Sequence, residues 1–166
     1  GIVNIYTLSP FTYQGTRLSL SGGNYGQFKA KASHYSKLSE TVGISIGGYY
    51  DRNDGYFKNE YTGKKADHEE SAGGRFKLDW KITPNFMAAY TSTYDYTDQG
   101  AFPYGMYDNE TEKVAPVSIN DTSSYNRKMF ANHLLLEYKA KHFTLTSTTG
   151  YQQLKDNMHM DQDYTE

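Results

Sequence analysis

The sequence predicts an all-β chain folded as an antiparallel up-and-down meander, and three observations carry that expectation. First, long segments alternate apolar with small or polar residues: Val42, Ile44 and Ile46 take one parity, and Gly43, Ser45 and Gly47 the other. Successive strand side chains point to opposite faces, so such a segment has one apolar and one polar face. Second, the alternation recurs in segments of about ten residues, close to the 9–11 of a membrane-spanning strand. Third, the connections are alternately tight, as at Thr83-Pro84-Asn85, and long and polar, as over residues 98–124. Short turns on one side and long loops on the other are the build of a transmembrane β-barrel.

Taken in order, a short strand is expected over residues 2–7, punctuated by Pro10. The next, over 15–21, places Leu18 and Leu20 opposite Arg17 and Ser19. Residues 22–26, Gly-Gly-Asn-Tyr-Gly, read as a tight reversal because Gly and Asn tolerate positive φ. The return strand, 27–35, puts Phe28, Ala30 and Ala32 on one face and Lys29, Lys31 and Ser33 on the other, and 37–40 is a short polar turn. A strand over 42–50 leads into a polar connection, 51–70. The strand from Ser71 sets Ala72, Gly74, Phe76, Leu78 and Trp80 against Arg75, Lys77 and Asp79. After the 83–85 turn, the segment 86–97 carries Tyr90, Tyr94 and Tyr96 on one parity. Beyond the 98–124 connection, a strand over 125–138 aligns Phe130, Leu134, Leu136 and Tyr138. Residues 139–142 turn the chain, and Phe143, Leu145, Ser147, Thr149 and Tyr151 alternate with threonines. Residues 156–166 read as a polar, acidic tail. Helical spacing of apolar residues is absent where strand alternation is present. About seven meander strands follow the first short one, which leaves open edges unless further strands close the sheet.

Composition narrows the function classes. A net charge of -2 without basic runs makes no electrostatic case for nucleic acid. The lack of cysteine removes disulfide scaffolds and cysteine metal sites. No stretch approaches the ~20 apolar residues of a membrane helix. Seventeen tyrosines beside one tryptophan suit a membrane–water interface, and equally a sugar-binding surface or a soluble sheet. No charged region followed by a hydrophobic run opens the chain, so no signal peptide is read there. The abrupt start on a strand leads to the expectation of a piece of something larger. Alternation alone does not say whether the apolar face meets lipid or an inner core. A soluble lipocalin-like barrel or lectin-like sandwich would make Ile44, Ile46, Phe76, Leu78, Leu134 and Leu136 converge on a closed core. A complete eight-stranded barrel would need residues 2–7 to pair with the last strand. The polar face, with Lys29, Lys31, Arg75, Lys77, Asp79, His133 and Glu137, suits a wet lumen.

The opening Gly1-Ile2-Val3-Asn4-Ile5-Tyr6-Thr7-Leu8-Ser9-Pro10 resembles the end of the plug domain in TonB-dependent outer-membrane receptors. In that family a similar strand, then Thr and a Ser-Pro-like break, leads into the first barrel strand. Gly22-Gly23-Asn24-Tyr25-Gly26, Ser71-Ala72-Gly73-Gly74-Arg75 and Thr146-Ser147-Thr148-Thr149-Gly150-Tyr151 are similar to its barrel segments, most of all to Bacteroides-type receptors. The resemblance implies a parent with a 22-stranded transmembrane β-barrel and a plugged lumen, in the outer membrane of a Gram-negative bacterium. Residues 1–10 would be the last plug strand and junction, and 11–166 the first roughly seven barrel strands. The 51–70 and 98–124 connections would be external loops. The implied activity is uptake of a scarce ligand, commonly a ferric siderophore or other metal chelate, energised by the TonB complex through a plug segment not in this chain. The implied partners are outer-membrane lipid and the remainder of barrel and plug. No cofactor is implied.

Ligand contacts are expected in the long connections: Arg52, Tyr56 and Phe57 in one, Gln99, Phe102, Tyr104 and Tyr107 in the other. Aromatics and Arg offer flat apolar area and charge-assisted hydrogen bonds to bulky anionic chelates. The plainer alternative is that these aromatics pack the loops together or form an interface girdle. The lipid-facing set is Leu18, Leu20, Phe28, Ile44, Ile46, Phe76, Leu78, Trp80, Leu134, Leu136, Phe143 and Leu145. Met158-His159-Met160 and His68-Glu69-Glu70 lack standard metal-ligand spacing and read as surface polarity. Asp108, Glu110 and Glu112 read as a solvated loop rather than a calcium site. Two sequons, at Asn109 and Asn120, are short enough to occur by chance. No nucleophile elbow, phosphate loop or zinc helix is present, and no enzymatic activity is expected.

Overall fold

The computed structural model describes residues 7–100 and 102–162. The expected first strand over 2–7 falls mostly outside them; Thr7 itself lies in no strand. Seven strands pair in sequence order into one antiparallel sheet. They are β1 (Gly15–Gly22), β2 (Phe28–Lys37), β3 (Val42–Asn53), β4 (Glu69–Thr83), β5 (Phe86–Gln99), β8 (Ser124–Lys139) and β9 (Thr144–His159). Between β5 and β8 the chain forms a two-stranded hairpin, β6 (Tyr107–Asp108) and β7 (Lys113–Val114). The described residues contain no helix. Among them β1 and β9 each pair on one side only.

The seven expected meander strands and their tight turns are present, but several strands are longer than expected: β3 runs on to Asn53, β4 begins at Glu69 and β5 ends at Gln99, inside the expected 51–70 and 98–124 connections, which are shorter for it. β9 continues through Asp156–His159, paired with Arg127, Asn126, Tyr125 and Ser124, where the sequence suggested a tail. Its last residues hold a single apolar side chain, Met158, so they carry no alternation to read. The tight turns are built from local hydrogen bonds. Ser39 Oγ accepts from the Thr41 and Val42 amides at 3.2 and 2.9 Å, and Lys37 pairs with Glu40 at 2.6 Å. The Lys37 hydrogen bond holds the Glu40 carboxyl below the usual carboxylate range. Pro84 and Asn85 make the turn between β4 and β5, beside a register shift at Lys81/Thr83. At the other end of the sheet, Tyr25 and Gly26 adopt φ of 61° and 66° in the reversal between β1 and β2. A Cβ on Gly26 would collide with the Asp54 carboxylate.

Residues directly opposite one another share a face, so the pairings assign every strand side chain to one of two faces. Leu18, Leu20, Phe28, Ile44, Ile46, Phe76, Leu78, Trp80, Leu134, Leu136 and Leu145 all fall on one face. The six residues that a closed core would gather do not converge; they spread across a single layer. That apolar face is the open one: Leu18 is 70% exposed and Leu145 63%, whereas Ser45 and Asp79 on the polar face are 4% exposed. Phe143, just before β9, is also exposed. Burial is thus inverted relative to a soluble sheet, in which the apolar face packs on a core.

The apolar band runs obliquely across the sheet. On β2 it comprises Phe28, Ala30 and Ala32 and gives way to His34 and Ser36 toward the tight turns. On β5 it spans residues 86–96 and ends at Asp98. On β8 it ends at Lys128, and on β9 at Gln153, so Leu145–Tyr151 form its last stretch. In register, its centre moves about seven residues over the five pairings from β2 to β9, roughly 1.4 residues per strand. With ~3.3 Å rise and ~4.8 Å between strands, that slope is roughly 45° to the strand-perpendicular. Within the band, Asn132 is satisfied by the Tyr90 hydroxyl, which donates to its Oδ1 at 2.5 Å.

The residues ahead of β1 lie on the polar face. Pro10 is fully buried, and a Cβ on Gly43 would stand 2.6 Å from its Cγ. Phe11 lies under the Lys81 ammonium at 3.9 Å, and Tyr13 packs edge-on to Tyr35 at 5.3 Å while Arg17 stacks on it at 4.5 Å. Gly43 therefore sets how closely this segment seats. Gly43→Val is expected to expel it, at a cost of about 1–3 kcal/mol. Proteolysis between Leu8 and Gln14 should accelerate while the β-sheet circular dichroism signal is retained; unchanged cleavage would remove the packing role of Gly43.

Candidate functional site

Two regions bring chemistry-bearing side chains together: the layer of long connections at one end of the sheet, and a trough on the polar face. Residues 54–68 fold back on themselves. The amides of Tyr56 and Phe57 donate to Asp67 Oδ1 at 2.9 and 2.8 Å, and Lys58 bridges to Lys65 across the fold. Asn59 docks this connection on the other. Its Nδ2 donates to the Ile119 carbonyl at 2.9 Å, and its Oδ1 accepts from the Ile119 amide at 3.2 Å. The Glu60 amide donates to the Val117 carbonyl at 2.8 Å. Val117 and Ile119 are buried, forming a small apolar seat for the docked loops. The 100–123 connection is also tied to the end of β9, where His159 Nε2 lies 2.8 Å from Asp121 Oδ2 and the Asp161 amide donates to Ser123 Oγ at 3.3 Å.

The expected ligand residues do not form one cluster. Arg52 is held by Asp54 at 2.9 Å, and Tyr56 packs on Tyr25 at 4.7 Å. Phe57 is exposed, and Gln99 sits at the end of β5 opposite Glu69 and Tyr125. Phe102 and Tyr104 pack together at 5.8 Å, and Tyr107 stands exposed opposite Val114 on the small hairpin. Of the seven, Phe102 lines the cavity of about 210 Å³ between the two connections, with Asn59, Lys64, His68 and Thr122. Sequence reading missed Asn59 and Asp67, whose roles depend on tertiary docking; their only signal was their place in a polar, Gly-containing loop. At the tip of the small hairpin, Asp108 caps the Glu110 amide at 2.8 Å and accepts from the Thr111 hydroxyl at 2.7 Å. The Thr111 hydroxyl holds its carboxyl below the ordinary range. Among the described residues no group of three or more His, Asp or Glu is arranged to hold a metal ion.

The trough lies on the polar face and encloses about 960 Å³ over β1 to β5. Across it run Arg17, Ser33, Gly47 and Arg75, one from each of β1 to β4. The adjacent row holds Lys31, Tyr49, Gly73 and Asp95. Tyr49 lies across Gly73 and donates from its hydroxyl to Asp95 Oδ1 at 2.8 Å, spanning three strands. A Cβ at residue 73 would stand 2.6 Å from the Tyr49 ring, so the strap needs glycine there.

No protein family, no curated protein and no solved structure matches the chain.

Asn59 makes the two connections one layer. Truncation to Ala leaves the buried Ile119 amide and carbonyl unpaired, at a cost of about 1–3 kcal/mol. Amide exchange at Val117 and Ile119 should accelerate about tenfold or more in Asn59→Ala, with exchange in β3 to β5 unchanged. Protection at Ile119 equal to that of the parent chain would show that the docking does not depend on this side chain.

Proposed function

We propose that the chain is part of the wall of a TonB-dependent receptor in the outer membrane of a Gram-negative bacterium. Its parent takes up a scarce ligand such as a ferric siderophore or other metal chelate. The observation that carries the membrane reading is the oblique, exposed apolar band. A slope of roughly 45° is close to the strand tilt of outer-membrane barrels, typically ~35–45°. On β5 the band from Phe86 to Tyr96 extends about 33 Å along the strand, or about 24 Å after correction for the slope. Lipid-facing bands of such barrels are about 25 Å tall. In water, each large side chain left exposed forgoes about 1.5–3 kcal/mol of burial, which a lipid cover restores.

The receptor reading adds the family resemblance and two structural supports. Pro10 to Tyr13 lie on the polar face, the side on which a plug would approach a barrel wall. Among the described residues β1 and β9 each pair on one side only, as strands within a larger wall would before their neighbours are added. Ligand capture then belongs to the loop layer, with Phe102 at the inter-loop cavity and Arg52, Tyr56, Phe57, Gln99, Tyr104 and Tyr107 dispersed over the same end of the sheet. The remainder of the barrel, the plug and the TonB complex are the implied partners.

The genomic reading frame tests the receptor assignment: it should encode an upstream plug and on the order of 400 further residues of repeated strands. A frame that encodes only this meander rejects the assignment. Trp80, the single tryptophan, tests the membrane face separately. In bilayers containing brominated acyl chains its emission should be quenched, and full emission would place this face away from lipid.

A further inference from the structure

The polar face holds more positive charge than its own carboxylates neutralise. Lys29 pairs with Asp51, Lys77 with Asp79 and Lys139 with Glu137. Among the described residues, Arg17, Lys31, Arg75 and Arg127 have no ion-pair partner. The one carboxylate lining the trough, Asp95, is engaged by the Tyr49 hydroxyl. Arg127, on the loop-end side of the trough, lies within electrostatic reach of Tyr49. Its Nε is buried without a hydrogen-bond partner, and Asp156 stands opposite it on β9, outside the trough.

The row across the trough places basic residues at its ends and small ones between. Arg17 and Arg75 stand three strand spacings apart, about 14 Å between backbones. Ser33 and Gly47 floor the gap; a Cβ on Gly47 would meet Ser33 Cβ at 3.3 Å, so the floor is closely packed and low. Lys31 closes one side, and Arg17 is steadied by its stacking on Tyr13. Guanidinium forks match the planar or tetrahedral oxygens of carboxylates and phosphates, and a site walled by several of them favours more than one anionic group.

We propose that this trough binds a free polyanionic solute bearing two or more carboxylate or phosphate groups, gripped by Arg17 and Arg75 over the Ser33–Gly47 floor. The site uses the polar face alone and stands whether or not the apolar face meets lipid. The test is isothermal titration of the full chain, folded in detergent micelles at low salt, with citrate and with pyrophosphate. Saturable binding is expected to at least one probe, weakened about tenfold or more in Arg75→Gln and unchanged in Lys141→Gln, a control in the exposed turn before β9. Ser33→Glu, which places a carboxylate on the floor without removing a side chain, should abolish binding and raise the thermal midpoint. Circular dichroism of each variant confirms the sheet. Absence of saturable binding to both probes overturns the site, leaving its charge to be met by a protein segment. Binding that neither Arg75→Gln nor Ser33→Glu alters also overturns it.

Discussion

Everything in this molecule depends on a two-residue period held in register across six strand pairings, interrupted only beside the β4–β5 turn at Lys81/Thr83. A slip of one residue anywhere would exchange the faces of every strand beyond it. Lys77 and Asp79 would then join the apolar side, and Phe76 and Leu78 the polar one. The energy that resists the slip is distributed over the cross-strand rows, in which Ile44 meets Leu78 and Tyr90 meets Leu134. The tight turns set each register locally, and the Tyr49 strap adds a side-chain brace over β3, β4 and β5.

The two faces solve different problems with the same backbone. On the apolar side the Tyr90 hydroxyl donates across the pairing to Asn132 Oδ1. The polar side is organised by charge: Lys29 and Lys77 paired with Asp51 and Asp79, arginines across the trough, and aromatic rings of residues 11 and 13 under cations at the turn end. Small residues decide where these groups can approach. Gly43 admits Pro10, and Gly73 admits the Tyr49 ring.

The strand count, the face of each apolar residue and the tight turns were legible in the sequence. Burial on one side enforces a period of two, and Thr83-Pro84-Asn85 carries its own turn chemistry. The end of β9 was not legible because residues 156–159 have no apolar face to mark. The inter-loop docking was not legible either. Asn59 reads as one more polar loop residue until residues sixty positions away supply their main-chain groups. The trough arises from register: Arg17 and Arg75 share a row only once three pairings are known. The candidate ligand residues were read by type and position alone, and tertiary packing divides them among Asp54, Tyr25 and one another.

The strands outlast the apolar band. β8 and β9 run 16 residues each, and beyond Lys128 and Gln153 the face that carries the band turns polar, while Leu154 and Met158 stand exposed on the other. In this upper section no apolar stripe marks the band-side face, so the alternation that fixes the sequence below no longer constrains it. Its length can therefore drift by whole ladder steps without disturbing the faces below, so the height at which the loop layer stands is free to vary independently of the wall that carries it.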